Sequence, residues 1–258
     1  MPRVRTVTPG TFTELGRFGS TSLGGERRVR VYAPQSPPAG MQRPTLVLFD
    51  GQNVFGDEGS YSGGWHTHEA VDRMVVQRPV APIVVAIDHG NEARIRELSP
   101  FEMGGKGGGA DALLEVISEQ ILPAVTSRFD VFPHYRVIGG SSMGGLAAIY
   151  AHARMPDTFH AAMCMSPSVW FGRESLFEYL MGRPSPARAR VYFDCGGREG
   201  KGRMLPLVEA LALHYASRGY SMRAAGERRV MWRPDKKGSH NEAAWRRRLP
   251  KALRFLFG

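Results

Sequence analysis

The sequence predicts an α/β fold with a mostly parallel central sheet, an antiparallel N-terminal edge and helices on both faces. Two observations predict the parallel part. Continuous apolar runs of strand length, such as Leu46-Val47-Leu48-Phe49 and Ile83-Val84-Val85-Ala86-Ile87, suit strands covered on both faces. These runs alternate along the chain with helix-length stretches, the order that builds a parallel sheet between two helical layers. A third observation predicts the edge: residues 26–32 alternate charged and apolar side chains, as a half-exposed antiparallel strand does.

After that first strand, Pro34, Pro37 and Pro38 make a loop. Buried strands are expected at 45–49, 83–87, 136–139, 161–165 and 190–194, and a weaker one at 222–230. Helices are expected at 66–76, 111–129, 146–153, 205–218 and 241–257. Pro123 is placed to kink the second of these and Pro250 to bend or break the last. The stretch 104–109 carries five glycines around Lys106. It lacks the strand, spacing and Ser/Thr of a phosphate-binding loop and reads as a mobile flap bordering a cleft.

The 258 residues are 42% hydrophobic and 22% charged, with mean hydropathy −0.27, as in a globular protein. No repeat or composition shift marks a boundary, so residues 1–258 read as one domain. No apolar run approaches the ~20 residues that cross a bilayer. The basic start, residues 1–6, lacks the apolar stretch of a secretory signal. A cytoplasmic protein without a membrane partner is the expectation. Cys164 and Cys195 do not make a disulfide framework, and Cys195 reads as a packed core thiol. The net charge of +10 suits an anionic partner or substrate. Scattered arginines reach the same total without one, and no nucleic-acid motif accompanies them. Arg246-Arg247-Arg248 on the last helix reads as a solvated face. Oligomeric state leaves no mark in the sequence.

Gly140-Ser141-Ser142-Met143-Gly144 fits G-x-S-x-G, with a strand directly before it and a helix directly after. A nucleophile on so sharp a turn needs small neighbours two residues away on either side, and Gly140 and Gly144 supply them. The turn lifts the Ser142 hydroxyl off the sheet and aims the Met143 amide at the reacting oxygen. Ser141 would lack the flanking glycines.

A serine hydroxyl needs an adjacent base. In this strand-turn-helix setting the chain order is serine, acid, histidine. His66, His68, His89 and His134 precede Ser142. His152 and His160 follow it too soon for an acid-bearing strand to intervene, and His214 lies mid-helix. His240 remains, in the turn Gly238-Ser239-His240-Asn241 before the last helix. The acid belongs at the C-terminal end of the strand 190–194. Glu199 is favoured because a loop carboxylate can turn toward His240; Asp194 stays open as the alternative. His66-Thr67-His68 lacks a third ligand at suitable spacing, and alternate helical residues diverge, so a structural or surface role is expected. Asp88-His89-Gly90-Asn91 ends a strand, either at a pocket rim or as a plain turn.

These motifs, in this order, resemble the esterase family of α/β-hydrolases that includes enterochelin esterases, feruloyl and acetyl xylan esterases, esterase D and the antigen 85 mycolyltransferases. The resemblance runs through residues 23–32, Asp50-Gly51-Gln52-Asn53-Val54-Phe55, the elbow around Ser142, Ser166-Pro167-Ser168-Val169-Trp170, Gly196-Gly197-Arg198-Glu199 and Gly238-Ser239-His240-Asn241 with Trp245. It implies an α/β-hydrolase fold and a Ser142, His240, Glu199 triad. It puts the backbone amides of Met143 and Gln52 at the oxyanion, and Trp65, Trp170 and Asp50 at the substrate pocket. It implies a small-molecule ester substrate, with no cofactor or metal. Gly197 stands where many relatives carry threonine, and Glu242-Ala243-Ala244 replaces a more aromatic segment. Acyl transfer by the same triad, and a hydrolase fold that binds without turnover, are the rival readings.

Overall fold

An eight-stranded sheet forms the middle layer of the computed structural model, which describes residues 8–35, 40–60, 62–77, 80–223 and 226–258. Residues 1–7, which include the basic start, and Pro37 and Pro38 lie outside the described residues. The first strands are β1 (Thr11–Ser20), β2 (Gly25–Ala33), β3 (Arg43–Leu48) and β4 (Ile83–Ile87), with helix α1 (Thr67–Gln77) between the last two. Next come α2 (Arg94–Leu98), a small hairpin of β5 (Glu102–Met103) and β6 (Lys106–Gly107), α3 (Ala110–Val116) and α4 (Leu122–Arg128). The second half runs β7 (Val131–Ser141), α5 (Met143–Arg154), β8 (Ala161–Met165), α6 (Arg173–Met181), β9 (Ala189–Gly196), α7 (Met204–Ser217), β10 (Arg228–Asp235) and α8 (Glu242–Phe257).

The spatial order is β1-β2-β4-β3-β7-β8-β9-β10. β1, β2 and β4 pair antiparallel, and every other pair in this sheet is parallel. Side chains alternate across the sheet with period two. Val47, Ala162 and Cys164 enter the core shared with α3, α5, α6 and α7. Leu46, Leu48, Met163 and Met165 enter the opposite core, shared with α1 and α8. Both faces are therefore covered, which is why β3, β4 and β8 read as unbroken apolar runs.

β3 leads to β4 on one side, while its neighbour β7 leads to β8 on the other. The strand order thus reverses between β3 and β7, and a crevice opens beyond their carboxyl ends. Asp50-Gly51-Gln52 and Ser142 stand at that point. The position of the site follows from the topology.

Several elements depart from the sequence reading. β1 escapes it: Leu15 is the one buried residue of this edge strand, and a bulge between Glu14 and Gly16 breaks its alternation. The last strand occupies Arg228–Asp235, later than the expected 222–230, of which residues 224–225 lie outside the described residues. It is the far edge and pairs with β9, so its arginines and Pro234 cost the ladder little. The 111–129 helix contains a π-turn at Ile117–Ile121. Pro123 sits in the first turn of α4, where its missing N–H is tolerated. α8 continues through Pro250 without a break. The glycine-rich stretch 104–109 does not line that crevice. It closes into the β5–β6 hairpin, where a side chain on Gly107 would collide with Phe101 and Phe171.

Candidate active site

Ser142 links β7 to α5 with φ 55° and ψ −120°, a strained conformation for a residue with a side chain. Its N–H donates to the Met165 carbonyl (3.0 Å), tying the turn to β8. The flanking glycines are sterically required. A Cβ on Gly140 would lie 2.7 Å from the Gly144 carbonyl carbon, and one on Gly144 would lie 3.1 Å from the Asp50 carboxylate.

The turn before α8 carries His240 across to this elbow. Its Nε2 lies 2.9 Å from Ser142 Oγ and its Nδ1 lies 2.9 Å from Glu199 Oε2. The ring stands edge-on to Trp245, with centroids 4.9 Å apart. Glu199 follows β9 and is 1% exposed. The loops bearing Glu199 and His240 are joined directly: the Arg198 N–H donates to the Gly238 carbonyl (3.1 Å) and the Gly197 N–H to Asp235 O (2.9 Å).

Glu199 uses its second oxygen, Oε1, to accept from Ser166 Oγ (2.7 Å) and the Gly196 N–H (2.7 Å), with Arg248 Nη2 at 3.4 Å. Burial pushes its pKa up. Hydrogen bonds from His240 and Ser166, with the charges of His240 and Arg248, more than offset this and hold it below the ordinary carboxylate range. Asp194 behaves oppositely. Burial raises its pKa to about 6, although Arg248 lies beside it. Its partners are Tyr192 Oη, the Ser166 N–H and Arg248 Nη1. Of the two carboxylates weighed from sequence, it is Glu199 that meets His240.

The family model described as "Putative esterase" matches residues 20–256. The chain belongs to this esterase family. It is 27% identical to the iron(III) salmochelin esterase of Escherichia coli O6:H1 over 91% of this chain and 55% of that protein. It is 29% identical to the iron(III) enterobactin esterase of Dickeya dadantii, over 59% of this chain and 32% of that one. The chain thus spans about half the length of the first of these relatives, and a third of the second. Among solved structures, the BES protein from Bacillus cereus superimposes with a TM-score of 0.78 at 18% identity, covering 99% of this chain and 98% of that one.

In this esterase-family chain, Ser142 and His240 line an open cavity of about 1350 Å³, together with Asp50, Gln52, His89 and Trp245. Asp88, His89, Gly90 and Asn91 form part of its rim. Asp50 is buried at its base, where Arg94 binds both oxygens (Nε–Oδ1 2.6 Å, Nη2–Oδ2 2.7 Å). Trp65 does not border the cavity. It is buried behind it, against Trp245 at 6.2 Å, because Val54 and Phe55 draw it into the α1–α8 core. Trp170 is half exposed and packs on Phe171, outside the cavity lining. The net charge of +10 is not concentrated here. The lining holds Arg17, Arg27, Arg28 and Arg94 and as many carboxylates, Glu26, Asp50, Asp88 and Glu242.

Sequence reasoning missed Ser166 and Arg248, which hold Glu199 from behind. Arg248 does not belong to a solvated face. It is 6% exposed, whereas Arg246 and Arg247 point outward. The signal was available: Trp245, Arg248, Leu249 and Ala252 follow the 3.6-residue period of one buried stripe.

His66, His68 and Glu69 offer ligand atoms within 4.8 Å of one another. Helical divergence does not separate the histidines, because His66 precedes α1 with φ 51° and its ring stacks on His68. Both His66 nitrogens already meet carboxylates, Asp57 Oδ1 at 2.8 Å and Glu69 Oε1 at 3.0 Å. Arg73 and Arg246 in turn face Glu69. The group is a hydrogen-bonded network that ties the loop at Asp57 to α1. Among the described residues, no helix is long and apolar enough to cross a membrane.

Proposed function

We propose that this chain hydrolyses carboxylic esters through an acyl-enzyme formed on Ser142. The observation that carries the proposal is the unbroken hydrogen-bonded line from Glu199 through His240 to Ser142. Glu199 accepts from Nδ1–H and so leaves the His240 Nε2 lone pair facing the hydroxyl. As Ser142 Oγ attacks the acyl carbon, its proton passes to Nε2. The resulting imidazolium is stabilised by the Glu199 carboxylate, then protonates the leaving alkoxide. Water, deprotonated by the same imidazole, cleaves the acyl–serine bond and restores the hydroxyl.

The tetrahedral oxyanion is assigned to the amides of Met143 and Gln52. Met143 is the first residue of α5, and Gln52 lies within the short 3₁₀ turn Gly51–Asn53. Amides in the first turn of a helix have no acceptor within it. Each such donor is worth on the order of 3 kcal/mol of the barrier.

The relatives are named for esters of iron(III) siderophores. We carry that class to this chain as its substrate: an ester bond within a siderophore-sized small molecule. The volume and openness to solvent of the cavity beside Ser142 support a large ligand. Its balanced charges favour hydrogen-bonding recognition over simple attraction of an anion.

The test is turnover of p-nitrophenyl acetate and of an iron(III)-siderophore ester panel, together with labelling by a fluorophosphonate. Ser142→Ala should lower turnover by roughly 10⁴-fold or more and abolish labelling. Wild-type turnover in that variant would overturn the assignment. Turnover of acetyl ester alone, with the siderophore esters untouched, would overturn the substrate class.

A further inference from the structure

Ser142 Oγ has a second neighbour besides His240. Ser168 Oγ lies 3.2 Å away, on the turn that follows β8. Ser168 is 2% exposed, and among the described residues its hydroxyl makes no other side-chain hydrogen bond. Its backbone is locked to the same elbow, with the Ser168 N–H donating to the Ser142 carbonyl (2.9 Å). The approach depends on Gly145. A Cβ there would lie 3.0 Å from Pro167 Cα and 3.1 Å from the Met165 carbonyl oxygen. The elbow therefore has a third small residue, and what it admits is the turn carrying Ser168.

Proton order along the line fixes the polarity of this contact. The Ser142 hydrogen points to His240 Nε2, so Ser142 has only lone pairs to offer Ser168. The Ser168 hydroxyl must be the donor. A buried hydroxyl whose partner is the nucleophile is not explained by packing, which an alanine would satisfy without desolvating an O–H.

We propose that Ser168 is a further catalytic residue, donating a hydrogen bond to Ser142 Oγ that stabilises the negative charge developing there as His240 takes the proton. The inference rests on Ser142 being the nucleophile. In the resting state the contact is longer than the 2.7–2.8 Å usual for a hydroxyl pair, and it has room to shorten as charge grows, toward roughly 2.5–2.7 Å for an O–H bonded to an oxyanion. No second proton moves. The Oγ–H bond of Ser142 breaks, its proton goes to Nε2, the Oγ–carbon bond forms, and the Ser168 proton stays on its own oxygen. Once the bond to carbon has formed, the ester oxygen accepts hydrogen bonds poorly and the donor is released.

The experiment compares Ser168→Ala and Ser168→Thr with wild type by pre-steady-state burst kinetics on p-nitrophenyl acetate, by fluorophosphonate labelling rate and by thermal melting. One hydrogen bond to a developing charge predicts that Ser168→Ala slows acylation and labelling roughly 10- to 100-fold. The dissociation constant of the complex that precedes acylation should stay within about twofold and the melting temperature near wild type, while Ser168→Thr, which keeps the hydroxyl, recovers most of the rate. An alanine variant acylated at the wild-type rate would overturn the proposal. So would equal losses in both variants, which would assign the effect to packing. Ser142→Ala separates the two ideas: an inactive Ser142→Ala beside a fully active Ser168→Ala rejects only the donor, whereas an active Ser142→Ala rejects the nucleophile as well.

Discussion

Arg248 places a guanidinium nitrogen 3.4 Å from Glu199 Oε1, the oxygen that His240 leaves unused. Its other terminal nitrogen lies 3.4 Å from Asp194. A single buried cation therefore holds two buried carboxylates, one of which carries His240. Removing one partner of such a group leaves the others uncompensated, at a cost of about 3–5 kcal/mol. Arg248→Met should lose stability on that scale in urea denaturation. Because Glu199 would be less firmly held, kcat should also fall, by roughly 10²-fold for a displacement near 1 Å. A variant as stable and as active as wild type would show that Ser166 and Gly196 suffice to hold the acid.

Glu199→Gln tests the acid differently, since it preserves shape. The amide can present its N–H₂ group to Nδ1 and favour the tautomer whose Nε2 carries the proton. That imidazole cannot accept from Ser142. The loss expected is about 10⁴-fold in kcat, as for a triad locked in the wrong tautomer, with little change in KM. Asp194→Asn should leave kcat far less affected, because Asp194 makes no hydrogen bond to His240. The reverse ranking would return the acid role to Asp194.

How far the site is legible in the sequence follows from which forces set each part. The elbow is visible because a turn this sharp needs glycines at 140 and 144, between a strand and a helix that can both be read from the sequence. His240 is reached by elimination, since chain order and topology exclude the other histidines. The parallel strands show as apolar runs because both faces of the sheet are covered. What stays hidden depends on tertiary approach. Trp65 reads as a cleft aromatic but is drawn beneath Trp245. Arg248 reads as part of a charge cluster, although only its helical phase relative to Trp245 shows that it turns inward. β1 is hidden because a bulged edge with one buried residue has no burial pattern to reveal it.

The two carboxylates beside Arg248 respond to pH in opposite directions. Burial raises the pKa of Asp194 to about 6, from an ordinary 3.8. A folded value above the unfolded one contributes stability below about pH 4, and that contribution is lost as pH rises through 6. For Asp194 this amounts to about 3 kcal/mol, on the order of two pKa units. Glu199, held below its ordinary value, contributes above its unfolded pKa and loses that contribution in acid. Asp194→Asn removes only the first slope. Between pH 4 and pH 7 the variant should therefore gain stability relative to wild type. Urea midpoints at both pH values give the comparison, and parallel profiles would mean that Asp194 titrates normally.

Gly197 stands in the loop that carries Glu199, and the structure leaves no space for a side chain there. A Cβ at Gly197 would lie 2.5 Å from the Lys236 carbonyl oxygen and 3.0 Å from its carbon. Those are backbone atoms of the segment that leads, two residues past Gly238, to His240. Side chains there have no room unless the Lys236–Gly238 turn retreats. That retreat would strain the Arg198 N–H to Gly238 bond and pull the imidazole from Glu199. Introducing threonine at this position should therefore harm this protein. Gly197→Thr is expected to lose about 1–3 kcal/mol to overpacking, with a drop in kcat that Gly197→Ala shows in milder form, since alanine brings the clashing Cβ without a branch. Melting curves and p-nitrophenyl acetate turnover on the two variants decide it. A threonine variant matching wild type in both would mean that the turn yields freely and that His240 is positioned by Trp245 and Glu199 alone.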